Sequence, residues 1–233
     1  MKRLFFLLSC LFMIQTVSHG QVLISLLLGD KLNSDKLEFG LTTGVTLSQM
    51  DGVAHDANLP TFNLGFYFDI KMKNAWSFAP SCLMLAKMGG KGLASYPVGD
   101  PDMDAVLSKG SVNRQLAYIQ LPLMLRYRLK NRIYFNAGPQ VGLLRSAIDE
   151  FKVSSSQYEG TIDYDIASGF KKLDAGATAG IGFSLREEKS MNFGLNYYYG
   201  LVDVQSGGDD SGYYNRAWYF YLTIPIGVSK GKK

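Results

Sequence analysis

The sequence predicts an all-β fold, an eight-stranded antiparallel up-and-down transmembrane β-barrel. Three observations predict it. Eight runs alternate apolar and polar residues with period two, the connections between them alternate long and short, and glycine recurs on the polar face of the runs. The mean hydropathy of +0.01 resembles that of a soluble domain. Strict alternation produces the same average, because greasy and polar residues cancel in every window. With aromatics at 13% and charged residues at 19%, a disordered chain is excluded. After the N-terminus no apolar stretch approaches the roughly 18 residues of a spanning helix, which excludes a polytopic helical protein.

The first run sets Leu37, Phe39, Leu41, Thr43, Val45 and Leu47 against Glu38, Gly40, Thr42, Gly44, Thr46 and Ser48. The second sets Phe62, Leu64, Phe66, Phe68, Ile70 and Met72 against Thr61, Asn63, Gly65, Tyr67, Asp69 and Lys71. The third, over 76–88, is the least regular: Trp76, Phe78, Pro80, Cys82 and Met84 share a face, with Leu83 and Leu85 opposite. In the fourth, over 116–129, Ile119 to Leu129 at odd positions oppose Tyr118, Gln120, Met124, Arg126 and Arg128. The fifth, over 132–146, sets Ile133, Phe135, Val141 and Leu143 against Tyr134, Asn136, Gln140 and Ser146. The sixth, over 173–185, sets Leu173, Ile181 and Phe183 against Asp174, Thr178 and three glycines. The seventh, over 191–201, sets Phe193, Leu195, Tyr197 and Tyr199 against Asn192, Gly194, Asn196 and Tyr198. The eighth sets Trp218, Phe220, Leu222, Ile224, Ile226 and Val228 against Tyr219, Tyr221 and Thr223. Each run reads as a two-faced strand. Pro80, Pro122, Pro139 and Pro225 fall inside these runs and are read as bulges or bends.

Connections at 49–60, 89–112, 147–170 and 204–214 are long; those at 72–75, 129–132 and 186–189 are tight. Long outer loops and short periplasmic turns mark a membrane barrel, and both chain ends then lie in the periplasm. A soluble sandwich or lipocalin-like barrel shows the same periodicity with its faces reversed. Three features favour the membrane. Small glycines suit a crowded lumen. Glu38, Asp69, Lys71, Arg126, Arg128 and Asp174 put both charge signs on the polar face, where a closed lumen can pair them. Phe39, Phe68, Trp76, Tyr127, Phe135, Phe183 and Phe193 fall toward the periplasmic rim, and Tyr197, Tyr199 and Trp218 toward the outer rim, as two aromatic girdles.

Ahead of the runs, Met1-Lys2-Arg3, an apolar stretch from Leu4 to Val17 and Ser18-His19-Gly20 read as a signal peptide, cleaved before Gln21. Leu7-Leu8-Ser9-Cys10 resembles a lipobox, but the apolar run before Cys10 is short and continues past it. Losing Lys2 and Arg3 takes the net charge from +4 to +2, which implies no nucleic-acid partner. Cys82 then remains as the single thiol, so no internal disulfide forms. The organisation is 1–20 signal, 21–36 periplasmic lead-in, 37–229 barrel and 230–233 basic tail. The apolar Val22 to Leu28 stretch is too short to span and is read as lying against the barrel or headgroups.

Residues Leu37-Glu38-Phe39-Gly40-Leu41, Tyr118-Ile119-Gln120-Leu121-Pro122-Leu123, Ala137-Gly138-Pro139-Gln140-Val141-Gly142, Gly194-Leu195-Asn196-Tyr197 and Ile224-Pro225-Ile226-Gly227-Val228 carry a resemblance. Over about Val22 to Val228 the chain resembles the PorT-like outer-membrane β-barrels of Bacteroidota. The resemblance implies an outer-membrane location, a small barrel and a link to type IX secretion through the founding member. The terminal Ser229-Lys230-Gly231-Lys232-Lys233 departs from the aromatic end that many bacterial barrels show their assembly machinery.

Residues that could carry chemistry are few. Asp100, Asp102 and Asp104 form Asp-x-Asp-x-Asp but lack the glycine and downstream glutamate of a calcium loop, and are read as a solvated acidic loop. After cleavage His55 is the remaining histidine, and Ser48, the nearby hydroxyl, faces the lumen. No nucleophile–base–orienter set, phosphate loop or metal cluster is legible, so no catalytic, cofactor or metal residue is predicted. Eight strands leave room for side chains or one small ligand, so no open pore is expected. The expected role is structural or interactive, with outer-membrane lipid and envelope or secretion proteins as partners. An outer-membrane lipid-modifying enzyme and a secreted lipocalin-like binder are the alternatives.

Overall fold

The computed structural model describes residues 33–108, 110–154, 159–186, 190–207 and 212–226. The proposed signal, most of the lead-in and the basic tail lie outside them. Among the described residues nine strands form in chain order: β1 (Leu37–Asp51), β2 (Leu59–Lys71), β3 (Trp76–Ala94), β4 (Ser111–Arg128), β5 (Ile133–Ser154), β6 (Glu159–Asp165), β7 (Leu173–Ser184), β8 (Asn192–Gly200) and β9 (Tyr214–Pro225). Eight of them close a ring in the order β1-β2-β3-β4-β5-β7-β8-β9, every neighbouring pair antiparallel. The ring shuts where β1 pairs with β9 from Gly40↔Pro225 to Asp51↔Tyr214. Strand β6 stands outside it, hydrogen-bonded to the outer end of β5.

The two faces separate as the alternation dictates. Thr42, Thr46, Asn63, Gln120, Asn136, Gln140 and Thr178 are buried in the lumen, while Phe62, Leu123, Phe135, Ile181, Phe193 and Phe220 are exposed on the wall. That inverts a soluble protein, in which large apolar side chains leave water.

The strands outrun their predicted limits. β3 continues to Ala94, β4 begins at Ser111 and β5 runs on to Ser154. β5 is 22 residues long, about 70 Å at 3.3 Å per residue, roughly twice the 9–11 residues a crossing needs. The connection predicted at 147–170 is therefore largely sheet, and the one predicted at 89–112 is sheet at its two ends. A short helix, α1 (Pro101–Leu107), links β3 to β4, and β5 turns back through β6.

Bulges sit away from the prolines. Register shifts occur between Leu83 and Ala86 and between Lys91 and Leu93 in β3, and opposite Ala117 and Tyr118 in β5, where Arg145 is the extra residue. At Pro80, Pro122, Pro139 and Pro225 the register does not shift, so of the two readings, bulge or bend, the bulge is corrected. The β3 bulge turns Met84 and Leu85 outward together and leaves Leu83 inside, which accounts for the weak alternation there. The β5 bulge likewise puts Ser146 outside, correcting its predicted inward place.

Glycine and tyrosine share the inward space. Gly40 pairs with Tyr67, Gly182 with Tyr134 and Gly194 with Tyr221. A Cβ on any of the three would collide with the ring of its tyrosine partner. Each ring lies over a backbone that offers no side chain, and so takes up inward space that two facing side chains would otherwise contest.

Candidate functional site

Three layers fill the barrel from the inner end outward. In the innermost, Asp69 on β2 faces β4, whose alternation brings Arg126 and Arg128 to the same side. Arg126 Nη1 and Arg128 Nη2 each donate to Asp69 Oδ2 at 2.5 Å. The Arg126 guanidinium also stacks on the Tyr134 ring, 4.2 Å from its centroid. Glu38 accepts from the Tyr67 hydroxyl at 2.7 Å, and Lys71 occupies the inward register at the end of β2. Tyr134 and Tyr221 join hydroxyl to hydroxyl at 3.0 Å, and Asn136 Nδ2 donates to the latter at 3.1 Å.

The middle layer is neutral. Thr178 donates to Gln140 Oε1 at 2.9 Å, Gln140 Nε2 donates to the Tyr219 hydroxyl at 3.2 Å, and that hydroxyl donates to Gln120 Oε1 at 2.8 Å. Between the two layers lies a cavity of about 50 Å³ lined by Asn63, Arg126, Asn136, Asn196 and Tyr219, among others. The carboxamide oxygens of Asn63, Asn136 and Asn196 have no protein partner, which suits the cavity to water.

The outer layer holds Asp174, which accepts from the Tyr198 hydroxyl and from Asn215 Nδ2, each at 2.8 Å. Asp174 therefore belongs with neutral donors and stands apart from the Asp69 cluster, so the six predicted lumen charges form separate groups. Above it the lumen turns apolar. Met50, Met88, Leu116, Ala147, Phe170 and Val204 are all buried in one cluster with Ala217 and Tyr219. Phe170 and Val204 come from outer connections, and Phe170 bridges to Gln205 across the mouth. The alternation gives an inward face of polar and small residues along the strands; the outer end of the lumen is closed by apolar side chains that connections fold inward, beyond the reach of strand periodicity.

A second apolar cluster sits above the mouth, where Leu93, Leu107, Val112, Phe151 and Val153 are buried under α1. Arg114 grips Asp149 through two bonds of 2.9 and 2.7 Å, and Tyr96 donates to the same carboxylate at 2.7 Å. Burial and the adjoining Asp149 carboxylate push the Tyr96 hydroxyl above its ordinary range. Asn113 and Gln115 both donate to Glu150. These contacts tie β4 and the segment after β3 to β5, and β6 extends the sheet by pairing along β5, with its Ile162 and Tyr164 exposed at the edge.

The other predicted residues are placed as follows. Trp76, Tyr127, Phe135, Phe183, Phe193, Tyr199 and Trp218 are exposed on the wall; Phe68 and Tyr197 are half-buried there. Phe39 shares the outward register but is covered, its ring 5.7 Å from Phe66 and 5.1 Å from Phe68. Asp100, read as part of a solvated loop, caps α1 by accepting from the backbone of Asp102 and Met103, with Pro101 following. Asp104 accepts from Val98 N at 2.6 Å. His55 contacts the Val53 carbonyl and Ser48 donates to that of Leu59, so neither addresses the other. Arg114, Asp149 and Arg216 form buried contacts that the period-two reading did not single out; Arg216 Nε meets Asp51 at 3.0 Å beneath Tyr199.

Similar solved structures include Ail of Yersinia pestis, at 13% identity and a TM-score of 0.43 over 83% of this chain and 100% of that one. Neisserial surface protein A matches at 6% identity and 0.39, over 82% of this chain and 97% of that one. OprG of Pseudomonas aeruginosa matches at 12% identity and 0.38, over 81% and 91% respectively. No curated protein sequence matches. The family model for the outer membrane protein beta-barrel domain matches residues 30–206. The chain therefore belongs to the outer-membrane protein β-barrel family.

Proposed function

We propose that this protein is a sealed barrel whose work is structural or interactive, carried out by the platform that β3, β4, β5 and β6 raise above the outer rim. The carrying observation is the closed mouth: Phe170, Val204 and Leu116 shut the lumen while the sheet continues outward. A filled lumen moves no solute, and an organised outer sheet offers a rigid surface for recognition. The N-terminal signal, cut after Gly20, delivers the chain, and residues 21–36 lead into β1. Asn33 supports that geometry, its side chain joining the start of β1 to the Ile226 carbonyl at 2.6 Å. The outward aromatics form the two interfacial girdles, the set from Phe39 to Phe193 at the periplasmic side and Tyr197, Tyr199 and Trp218 at the outer side.

The partner class is envelope or secretion proteins, and the PorT-like resemblance of the Tyr118–Leu123 and Ala137–Gly142 segments makes secretion the first process to test. Crosslinking in cells, followed by affinity recovery of the full chain and a secretion assay in a deletion strain, tests the reading. Recovery of an envelope protein through the platform supports it. Steady large conductance in planar bilayers would refute the sealed barrel, and an intact secretome in the deletion strain would remove the secretion link.

A further inference from the structure

The two bulges that flank β4 open a groove on the outside of the barrel. At the β3 bulge Met84 and Leu85 both point outward; at the β5 bulge Arg145 and Ser146 do. The strand between them carries the small Ala117 at this level, paired with Lys87 on one side and Ser146 on the other. The resulting groove measures about 560 Å³. Its floor is apolar, with Phe62, Met84 and Leu85 58%, 49% and 50% exposed. Its rim is cationic. Lys87 Nζ meets the neutral Gln115 Oε1 at 2.8 Å, and Arg145 Nη1 meets the Met84 carbonyl at 3.4 Å. No carboxylate lines the groove, and among the described residues neither cation has a carboxylate partner.

The level of the groove identifies its occupant. Along each contributing strand the outward row changes character here. Leu143 gives way to Arg145 on β5, Leu85 to Lys87 and Lys91 on β3, and Ile119 to Ala117 and Gln115 on β4. That change is the upper limit of the apolar belt, where hydrocarbon meets headgroups. We infer that the groove binds a phosphate-bearing lipid of the outer leaflet, its acyl chain on Phe62, Met84 and Leu85 and its phosphate between Lys87 and Arg145. A lipid phosphate supplies the negative charge that both cations lack, and charge-assisted bonds are strongest where water is scarce. This inference rests on the membrane location of the family and not on the interaction role proposed above.

Native mass spectrometry of the full chain in neutral detergent, with phosphatidic acid and diacylglycerol of identical acyl chains as probes, tests it. Phosphatidic acid binds at least about tenfold more tightly than diacylglycerol, the order expected for losing one charge-assisted contact. Inorganic phosphate alone does not compete. In Lys87→Gln/Arg145→Gln the preference falls to about twofold or less. Ala117→Trp, which fills the groove and keeps both cations, weakens both lipids. Heat-modifiable gel mobility certifies that each variant is folded, and Ala117→Trp with the single Lys87→Gln decides the matter should the double variant fail. Equal retention of the two lipids by the wild type, full preference in the folded cation variants, or effective competition by inorganic phosphate would overturn the proposal.

Discussion

Arg126 and Asp69 form a buried ion pair deep in the barrel, 4% and 2% exposed, with Arg128 as a second donor to the same oxygen. Attraction between charges removed from water offsets their desolvation only while both partners remain. Asp69→Asn leaves Arg126 buried without its hydrogen-bonded counter-charge, since Glu38 of the same layer bonds Tyr67, and costs about 3–5 kcal/mol of stability. The urea midpoint for loss of heat-modifiable mobility reads this out. An unchanged midpoint would show the cluster to be well hydrated and energetically idle.

Gly182→Val drives two methyl groups into the Tyr134 ring, which is fully buried and pinned by Arg126 and Tyr221. Overpacking of this kind costs about 1–3 kcal/mol. Shrinking the ring relieves it, so Gly182→Val/Tyr134→Leu recovers part of the loss. A cycle of the two single variants and the double variant measures the coupling; strict additivity would contradict the contact.

Asp203, in the connection between β8 and β9, gives a pH-dependent loop. Slight burial raises its carboxyl, but the Gln205 and Tyr213 amides at 3.0 and 2.8 Å and the Lys171 ammonium at 3.1 Å outweigh this and hold it below the ordinary range. A depressed carboxyl contributes stability that is full above its unfolded value, about 3.9, and lost as pH falls through the lower folded value. Protection of the Gln205 and Tyr213 amides, measured relative to intrinsic exchange at each pH, is therefore high at neutral pH and falls below about pH 4. Asp203→Asn lowers that protection at neutral pH and leaves it nearly flat with acidification. Protection that survives in that variant would assign the loop's order elsewhere.

Phe170→Ala takes the largest buried loop-borne side chain from the closed mouth, with its contact to the Arg114 guanidinium. The local cost is about 3–5 kcal/mol. External protease then cleaves the outer connections in intact cells at doses the wild type resists, while the barrel keeps its heat-modifiable shift. Equal resistance would mean that Val204 and Tyr213 suffice as the closure.

Period two is a local property, so the ring strands and their faces were legible from residues such as Phe62, Asn63, Tyr118 and Ile119. The inward charges were legible for the same reason, although alternation gives a side and not a partner. Asp69 and Arg126 meet through the β1–β2–β3–β4 register, whereas Asp174 goes to Tyr198 and Asn215 across β7, β8 and β9. Bulges hide from such a reading, because one extra residue at Arg145 or beside Leu83 only blurs a pattern until the partner strand is known. The strand extensions hide too: above the belt the outward row becomes Lys87, Lys91 and Gln115, and the contrast that marks a strand disappears. Phe170 and Val204 carry no periodic context at all. Asp100-Pro101 is a different case, since aspartate before proline is a helix-start signal that a search for calcium ligands passes over.

The glycine–tyrosine pairs also select the order in which the wall can lock. Sliding β9 by two residues against β8 would set the Tyr221 ring on Asn192 or Asn196 in place of Gly194, and sliding β2 against β1 would set Tyr67 on Glu38 or Thr42 in place of Gly40. Such slips keep every side chain on its proper face, so hydrophobic patterning does not penalise them. Steric rejection by a misplaced ring does. Tyr221 sits opposite Gly194 on β8 and Gly44 on β1 at once, and its ring lies over Gly194, so the strand that must close the ring against β1 is already held to one shear by its other neighbour.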